Sequence, residues 1–227
     1  MKTSMKGILA IIDQEAVVLS TYKDSAGVLT IGVGHTAAAG GMAPRPGDRI
    51  TLPQAIAMLQ ADLARYERRV ASAVRAPLTQ AQFDALVDFD YNTGAIVKGS
   101  VDDHINAGKL DLAMAVLQQY DKAGGHKLAG LDRRRDMEER MFVHGIYPDV
   151  PAVKVYDKFP GAVRLVPVSS LNLTEAPQVG PAPEAPTITP AGDEPPPAAP
   201  AAMNPLQMVM AALASLMALA VGYLMSR

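Results

Sequence analysis

The feature that most constrains this chain is a change of hydrophobic period between Ile8 and Val33. Ile8, Ile11, Ile12 and Glu15 recur at helical spacing, so Glu15 falls in the last turn of a short helix with one buried face. Ser25-Ala26-Gly27 then reads as a tight turn, and the β-branched, apolar run Val28 to Val33 suits a strand. A helix that stops directly against a small β-hairpin leaves the chain few ways to fold back. The arrangement expected sets Asp24, at the turn, and Thr30, in the strand, across a cleft from Glu15.

Two carboxyl groups in unlike surroundings are what acid–base cleavage of a glycosidic bond requires. Glu15 has the apolar neighbours Ile11, Ile12, Val17 and Leu19, which favour a proton-bearing carboxyl near neutral pH. Asp24 lies between Lys23 and Ser25, which favour an ionised one. The Thr30 hydroxyl can both donate and accept, so it can share with Asp24 the task of holding a water. A base acting through water implies well-separated carboxyls and inversion, whereas a nucleophilic Asp24 implies closer approach and retention; the spacing leaves both open.

The pattern Glu15-x8-Asp24-x5-Thr30, set within Tyr22-Lys23-Asp24 and Thr30-Ile31-Gly32-Val33-Gly34-His35, resembles the catalytic signature of the phage lysozyme family of endolysins, glycoside hydrolase family 24. The resemblance implies a two-lobed, mainly helical α+β domain with a small β-hairpin. It also implies a muramidase acting on peptidoglycan, with Glu15 as general acid, Asp24 as base or electrostatic stabiliser and Thr30 positioning water. One departure is Ala16, where the family usually has glycine. Alanine tolerates the left-handed backbone poorly, so the expectation is a changed helix exit or a slightly longer helix.

Further along, Gly40, Gly41, Pro44, Pro46 and Gly47 mark a loop whose Arg45 and Arg49 are candidate contacts to a peptidoglycan strand. Thr51-Leu52-Pro53-Gln54 combines an N-cap, an early proline and a capping-box Gln, opening a long helix that ends near Pro77 and joins two lobes. Thr79 with Gln82 opens another, ending at Asn92-Thr93-Gly94. Leu78 to Val87 and Tyr91 to Gly94 again resemble the endolysins, in which this helix forms the centre of the helical lobe. Asn92 is expected either to cap the helix end or to reach sugar in the cleft. Ser100 with Asp103 reads as the cap of a short helix, and Leu112 to Tyr120 as another.

The glycine-rich segment Ala123 to Leu131 resembles the endolysin loop before an Arg-Arg helix, and its backbone amides are candidates to line the cleft. Arg133, Arg134 and Arg135 with Asp136, Glu138 and Glu139 read as a solvated helical face, with an inward Arg134 paired to Glu15 as the minor alternative. His35 is expected to brace the hairpin. The four histidines lack metal-ligand spacing, so neither a metal nor an organic cofactor is implied.

There is no Cys, which excludes disulfides and thiol catalysis, and a net charge of −2 gives no footprint for nucleic acid. The expected organisation is a catalytic domain over 1–147, a loosely packed tail over 148–176, a Pro/Ala-rich linker over 177–205 and a transmembrane helix over 206–226. Residues 177–205 contain no Lys or Arg and read as extended. Met208 to Met225 is free of charge and meets the lower length limit for a spanning helix. Ala214, Ala218 and Gly222 form a small-residue seam through which two such helices could pair. Arg227 beyond the run favours anchoring in a bacterial inner membrane with the enzyme on the periplasmic side, although one charge leaves the topology open. Two competing readings stand beside the muramidase. One is a lytic transglycosylase, which needs only the acid; the other is a non-catalytic lysis protein that binds wall and membrane.

Overall fold

The computed structural model describes residues 1–24 and 26–171. The expected linker, the membrane helix with its Ala214, Ala218 and Gly222 seam, and the end of the tail lie outside the described residues. Among the described residues, no helix is long and apolar enough to cross a membrane.

Helix α1 spans Met5–Glu15, and its N-cap Ser4 accepts a hydrogen bond from the Gly7 amide. Ile11 and Ile12 are fully buried, as their spacing requires. Gly7 has a separate reason to be glycine: a Cβ there would stand 2.7 Å from Cγ of Asp84, so the helix can approach its neighbour only without a side chain. The helix stops at Glu15 and does not run on. Ala16 itself takes a positive φ of 60°, with its amide bonded to the Ile12 carbonyl at 2.9 Å.

Strands β1 (Val17–Lys23), β2 (Leu29–Gly32) and β3 (His35–Thr36) form an antiparallel meander, with Tyr22 opposite Thr30. Helix α2 (Leu52–Ala73) leaves this lobe behind a capping box of Thr51 and Gln54. Helix α3 (Gln80–Thr93) opens on a second box, Thr79 with Gln82, and closes at Gly94 in the left-handed conformation. Helices α4 (Val101–Asn106) and α5 (Leu110–Gln118) follow and pack on one another. Ser100 does not cap α4: it adopts φ 62° and makes no capping bond. The glycine-rich segment is a hairpin, β4 (Lys122–Ala123) with β5 (His126–Lys127), turning on Gly124 and Gly125, both at positive φ as a tight hairpin turn demands. Helix α6 (Ala129–His144) follows and packs on α3.

The tail differs from expectation. Ala152–Tyr156 forms β6, which pairs in parallel with β1, and Val163–Pro167 forms β7, antiparallel to β6. The small hairpin is thereby part of a five-stranded sheet in the order β3-β2-β1-β6-β7. Val153 and Val155 alternate with Lys154 and send both their side chains into the main core, a period-two signal in a segment that composition alone makes look like a tail.

Replacing Gly7 with Ala should therefore destabilise the domain by about 1–3 kcal/mol through overpacking against Asp84. Urea denaturation would measure it, and an unchanged midpoint would show that α1 and α3 can separate freely.

Candidate active site

Three elements converge where α1 passes into the sheet. Glu15 is the last residue of α1, and its side chain is 6% exposed. Asp24 follows β1 and is held by its own turn: Oδ1 accepts from the amides of Ala26 at 2.9 Å and Val28 at 2.8 Å. Its other oxygen, Oδ2, is buried and has no partner among the described residues. Thr30, in β2, donates its hydroxyl to the Val28 carbonyl at 3.2 Å. Val28 thus links Asp24 and Thr30 through its two backbone groups.

Tyr22, two residues before Asp24 on β1, feels the charge of both acids. Burial pushes its phenol well above the ordinary range, and the negative charges of Glu15 and then Asp24 push it the same way. The ring is therefore a neutral group in contact with the fields of both carboxylates.

Behind Glu15 lies a buried charge network. Arg134 of α6, 2% exposed, donates through Nη1 to Glu15 Oε1, and through Nη2 and Nε to Asp88 Oδ1 at 2.5 and 3.1 Å. Arg135 donates to Glu138 Oε1 at 2.6 Å and to Asn92 Oδ1 at 3.1 Å, with its guanidinium over the Phe89 ring. Desolvation lowers the Arg134 pKa, but Asp88, Glu15 and Glu138 more than offset it, and the net shift is upward. Arg135 is lowered, by burial first. Glu138 is pushed up to about 8 by burial, with Asp88 adding to the shift and Arg135 and Arg134 opposing it.

The inward Arg134 is thus what the structure shows, and the solvated-face reading of 133–139 fails for Arg134, Arg135 and Glu138. Sequence reasoning also missed Asp88. Its signal was available, because Asp84, Asp88 and Asp90 sit in a helix whose apolar residues leave no face for solvent. Asn92 neither caps α3 nor opens on the cleft: it is buried, and its oxygen serves Arg135. His35 braces, as expected, with Nδ1 2.8 Å from Asp62 Oδ2 on α2 and Nε2 2.8 Å from the Met42 carbonyl. Tyr91, spaced in the sequence for burial on α3, donates its hydroxyl to the Val33 carbonyl at 2.7 Å and so ties α3 to the strand region. Arg45 and Arg49 are exposed on their loop. Among the described residues, no group of three His, Cys, Asp or Glu side chains could hold a metal ion.

The phage lysozyme family pattern matches residues 13–138, more than half of the 227-residue chain, and this segment includes all three cleft residues and Arg134. The chain belongs to the phage lysozyme family. It is 36% identical over 149 residues to the endolysin of Bacillus phage PZA, an alignment covering 64% of this chain and 56% of that protein. This phage lysozyme family member therefore spans little more than half the length of that relative. It is 35% identical over 131 residues to the SAR-endolysin of Escherichia phage Mu, covering 57% of this chain and 74% of that one. Among solved structures, the muramidase domain of SpmX from Asticaccaulis excentricus superposes with a TM-score of 0.57 at 32% identity, covering 63% of this chain and 97% of that domain.

The Glu138 shift has a signed consequence. Its carboxyl binds a proton more tightly in the folded state than the ordinary 4.5 of the unfolded chain, so its contribution to stability is complete below about pH 4.5 and is lost as pH rises towards 8. Melting temperatures of the wild type should decline across that window, and Glu138→Gln should flatten the decline. A wild type that gains stability from this residue between pH 5 and 8 would contradict the assignment.

Proposed function

We propose that the chain is an endolysin-type muramidase of glycoside hydrolase family 24, hydrolysing the β-1,4 bond between N-acetylmuramic acid and N-acetylglucosamine in peptidoglycan. Glu15 is the general acid that protonates the departing glycosidic oxygen. Asp24 and Thr30 hold the water that attacks the sugar carbon, and the Asp24 carboxylate accepts its proton. The observation that carries this reading is the state of Asp24: one oxygen is fixed by two amides, one of them that of Val28, whose carbonyl holds the Thr30 hydroxyl, and the other is buried without a partner among the described residues. A carboxylate so oriented suits a base working on a bound water. A lytic transglycosylase, whose sugar closes on itself without water, has no use for it.

Arg134 pairs with Glu15, and Asp88 and Glu138 share the two buried guanidiniums of Arg134 and Arg135 with it. A proton delivered from Glu15 to the leaving group leaves a carboxylate already ion-paired with Arg134.

Turbidity loss of purified sacculi tests the assignment. Glu15→Gln should lower the rate by at least about 100-fold, and Asp24→Asn, which keeps an oxygen for the Ala26 and Val28 amides, by a similar factor with a little-changed melting temperature. Products should carry free reducing ends. Anhydromuropeptides as the main product would point to a transglycosylase, and full lysis by Glu15→Gln would point to a non-catalytic lysis protein.

The same reading extends to location. Residues 177–205 act as an extended tether of up to about 90 Å, and residues 206–226 anchor the enzyme in the inner membrane with the domain on the periplasmic side. The uncharged run itself and the similarity to a SAR-endolysin support this. The full chain should sediment with membranes after alkaline carbonate washing, whereas a chain ending at Leu171 should not. Equal recovery of both in the soluble fraction would remove the anchor.

A further inference from the structure

The sheet has two different faces at β1. Val17 and Val155 pack into the main core, whereas Ala16, Val18 and Tyr156 form a second, separate buried cluster, with half-buried Tyr22 and Phe159 packed against it. The register explains why these residues meet. Val18 pairs with Tyr156 across the parallel β1–β6 ladder, and Tyr22 pairs with Thr30 across β1–β2. Residues directly opposite one another project to the same side of a sheet. The face that carries Thr30 is therefore the face onto which the β6–β7 hairpin sends its aromatic residues.

Phe159, in the turn between β6 and β7, meets two rings edge-on. Its centroid lies 5.3 Å from that of Tyr22 at 60°, and 5.7 Å from that of Tyr156 at 82°. Such contacts fix a ring's orientation as well as burying area. The Tyr22 hydroxyl has no hydrogen-bond partner among the described residues, although the ring is half-buried and two residues from Asp24. A phenol kept from ionising by burial first, and then by the charges of Glu15 and Asp24, with no hydrogen-bond partner among the described residues, has its proton free for a third party. The hairpin lies outside residues 13–138, the segment matched to the phage lysozyme family.

We propose that the β6–β7 hairpin is a working part of the active site: Phe159 and Tyr156 hold the Tyr22 ring beside Glu15, Asp24 and Thr30, and the Tyr22 phenol donates a hydrogen bond to an oxygen of the bound saccharide. Tyr22 then touches substrate, and Phe159 and Tyr156 are positioning residues that act through it. This rests on the muramidase reading, and deepens it by giving the sugar a donor that the Glu15-Asp24-Thr30 pattern does not contain.

The test is a double-mutant cycle in the full chain, with kcat and KM read from reducing ends released from sacculi. Tyr22→Phe keeps the ring and removes the donor, and should lower kcat/KM by about 10-fold; Phe159→Ala frees the ring, and should cost a similar factor. The pair together should be no worse than the worse single variant, because Phe159 acts only through the phenol. Phe159→Trp should recover most of the loss. Multiplying losses, or wild-type turnover by Phe159→Ala, would overturn the proposal while leaving the muramidase intact. If Phe159→Ala melts below the assay temperature, Phe159→Leu takes its place in the same cycle, since it keeps apolar bulk but not the ring. A wild-type chain that releases no reducing ends would remove the muramidase reading and this proposal with it.

Discussion

The position of Glu15 depends on one guanidinium placed where water does not reach. Arg134 is 2% exposed, and it bridges Glu15 at the end of α1 to Asp88 in the middle of α3. Burying a charge is expensive, and what repays the cost here is the number of partners, with Asp88 taking two of its N–H groups, Glu15 one, and Glu138 standing 3.6 Å away. Such a network contributes little net stability against an apolar substitute of the same shape, yet loss of one member strands the rest, at about 3–5 kcal/mol for a broken buried pair. Its value lies in position. It fixes the side chain of Glu15, where α1 passes into the sheet, to both α3 and α6.

The two lobes are joined by more than this. Tyr91 donates to the Val33 carbonyl, His35 reaches Asp62 on α2, and Arg65 reaches the Ala38 carbonyl at 2.9 Å. Each bond runs from a helix of the second lobe, or from α2, to the backbone or a side chain of the strand region. The strands are short, and β3 has only two residues, so the meander draws its rigidity from these ties and from the core beneath it. That core is continuous: Ile12 of α1, Val17 of β1, Leu63 of α2 and Phe89 of α3 belong to one cluster. The acids therefore stand on a surface whose underside is shared by both lobes.

What the sequence made legible was whatever is written locally. Thr51 with Gln54 and Thr79 with Gln82 state two capping boxes in four residues each, and both form. The switch from Ile11-Ile12 to Val28–Val33 states the helix-to-hairpin passage, and the turn around Asp24 follows from it. The illegible part was set by partners far away in the chain. Arg134 and Arg135 look like solvated residues because their neighbours Arg133, Asp136 and Glu139 are charged, and only Asp88 and Glu15, 46 and 119 residues distant, turn one of them inward. Asn92 was misread for the same reason, since its partner is Arg135. The β6–β7 hairpin was passed over because it lies beyond the resemblance, even though Val153-Lys154-Val155 alternates as a strand should.

Ala16 brings these strands of argument together. An alanine at φ 60° and ψ 177° carries a steric cost that glycine would avoid, of roughly 1–3 kcal/mol. Glycine, however, would leave a hole: the Ala16 side chain is buried in the second cluster with Val18 and Tyr156. It would also loosen the unfolded chain and the one joint between Glu15 and the sheet. That cluster exists only because β6 lies alongside β1 and supplies Tyr156. In a fold without the hairpin, a methyl at this position would meet solvent and gain nothing to set against its strain. The alanine at this position and the β6–β7 hairpin are thus two halves of one packing solution, built on the residue immediately after the proposed acid.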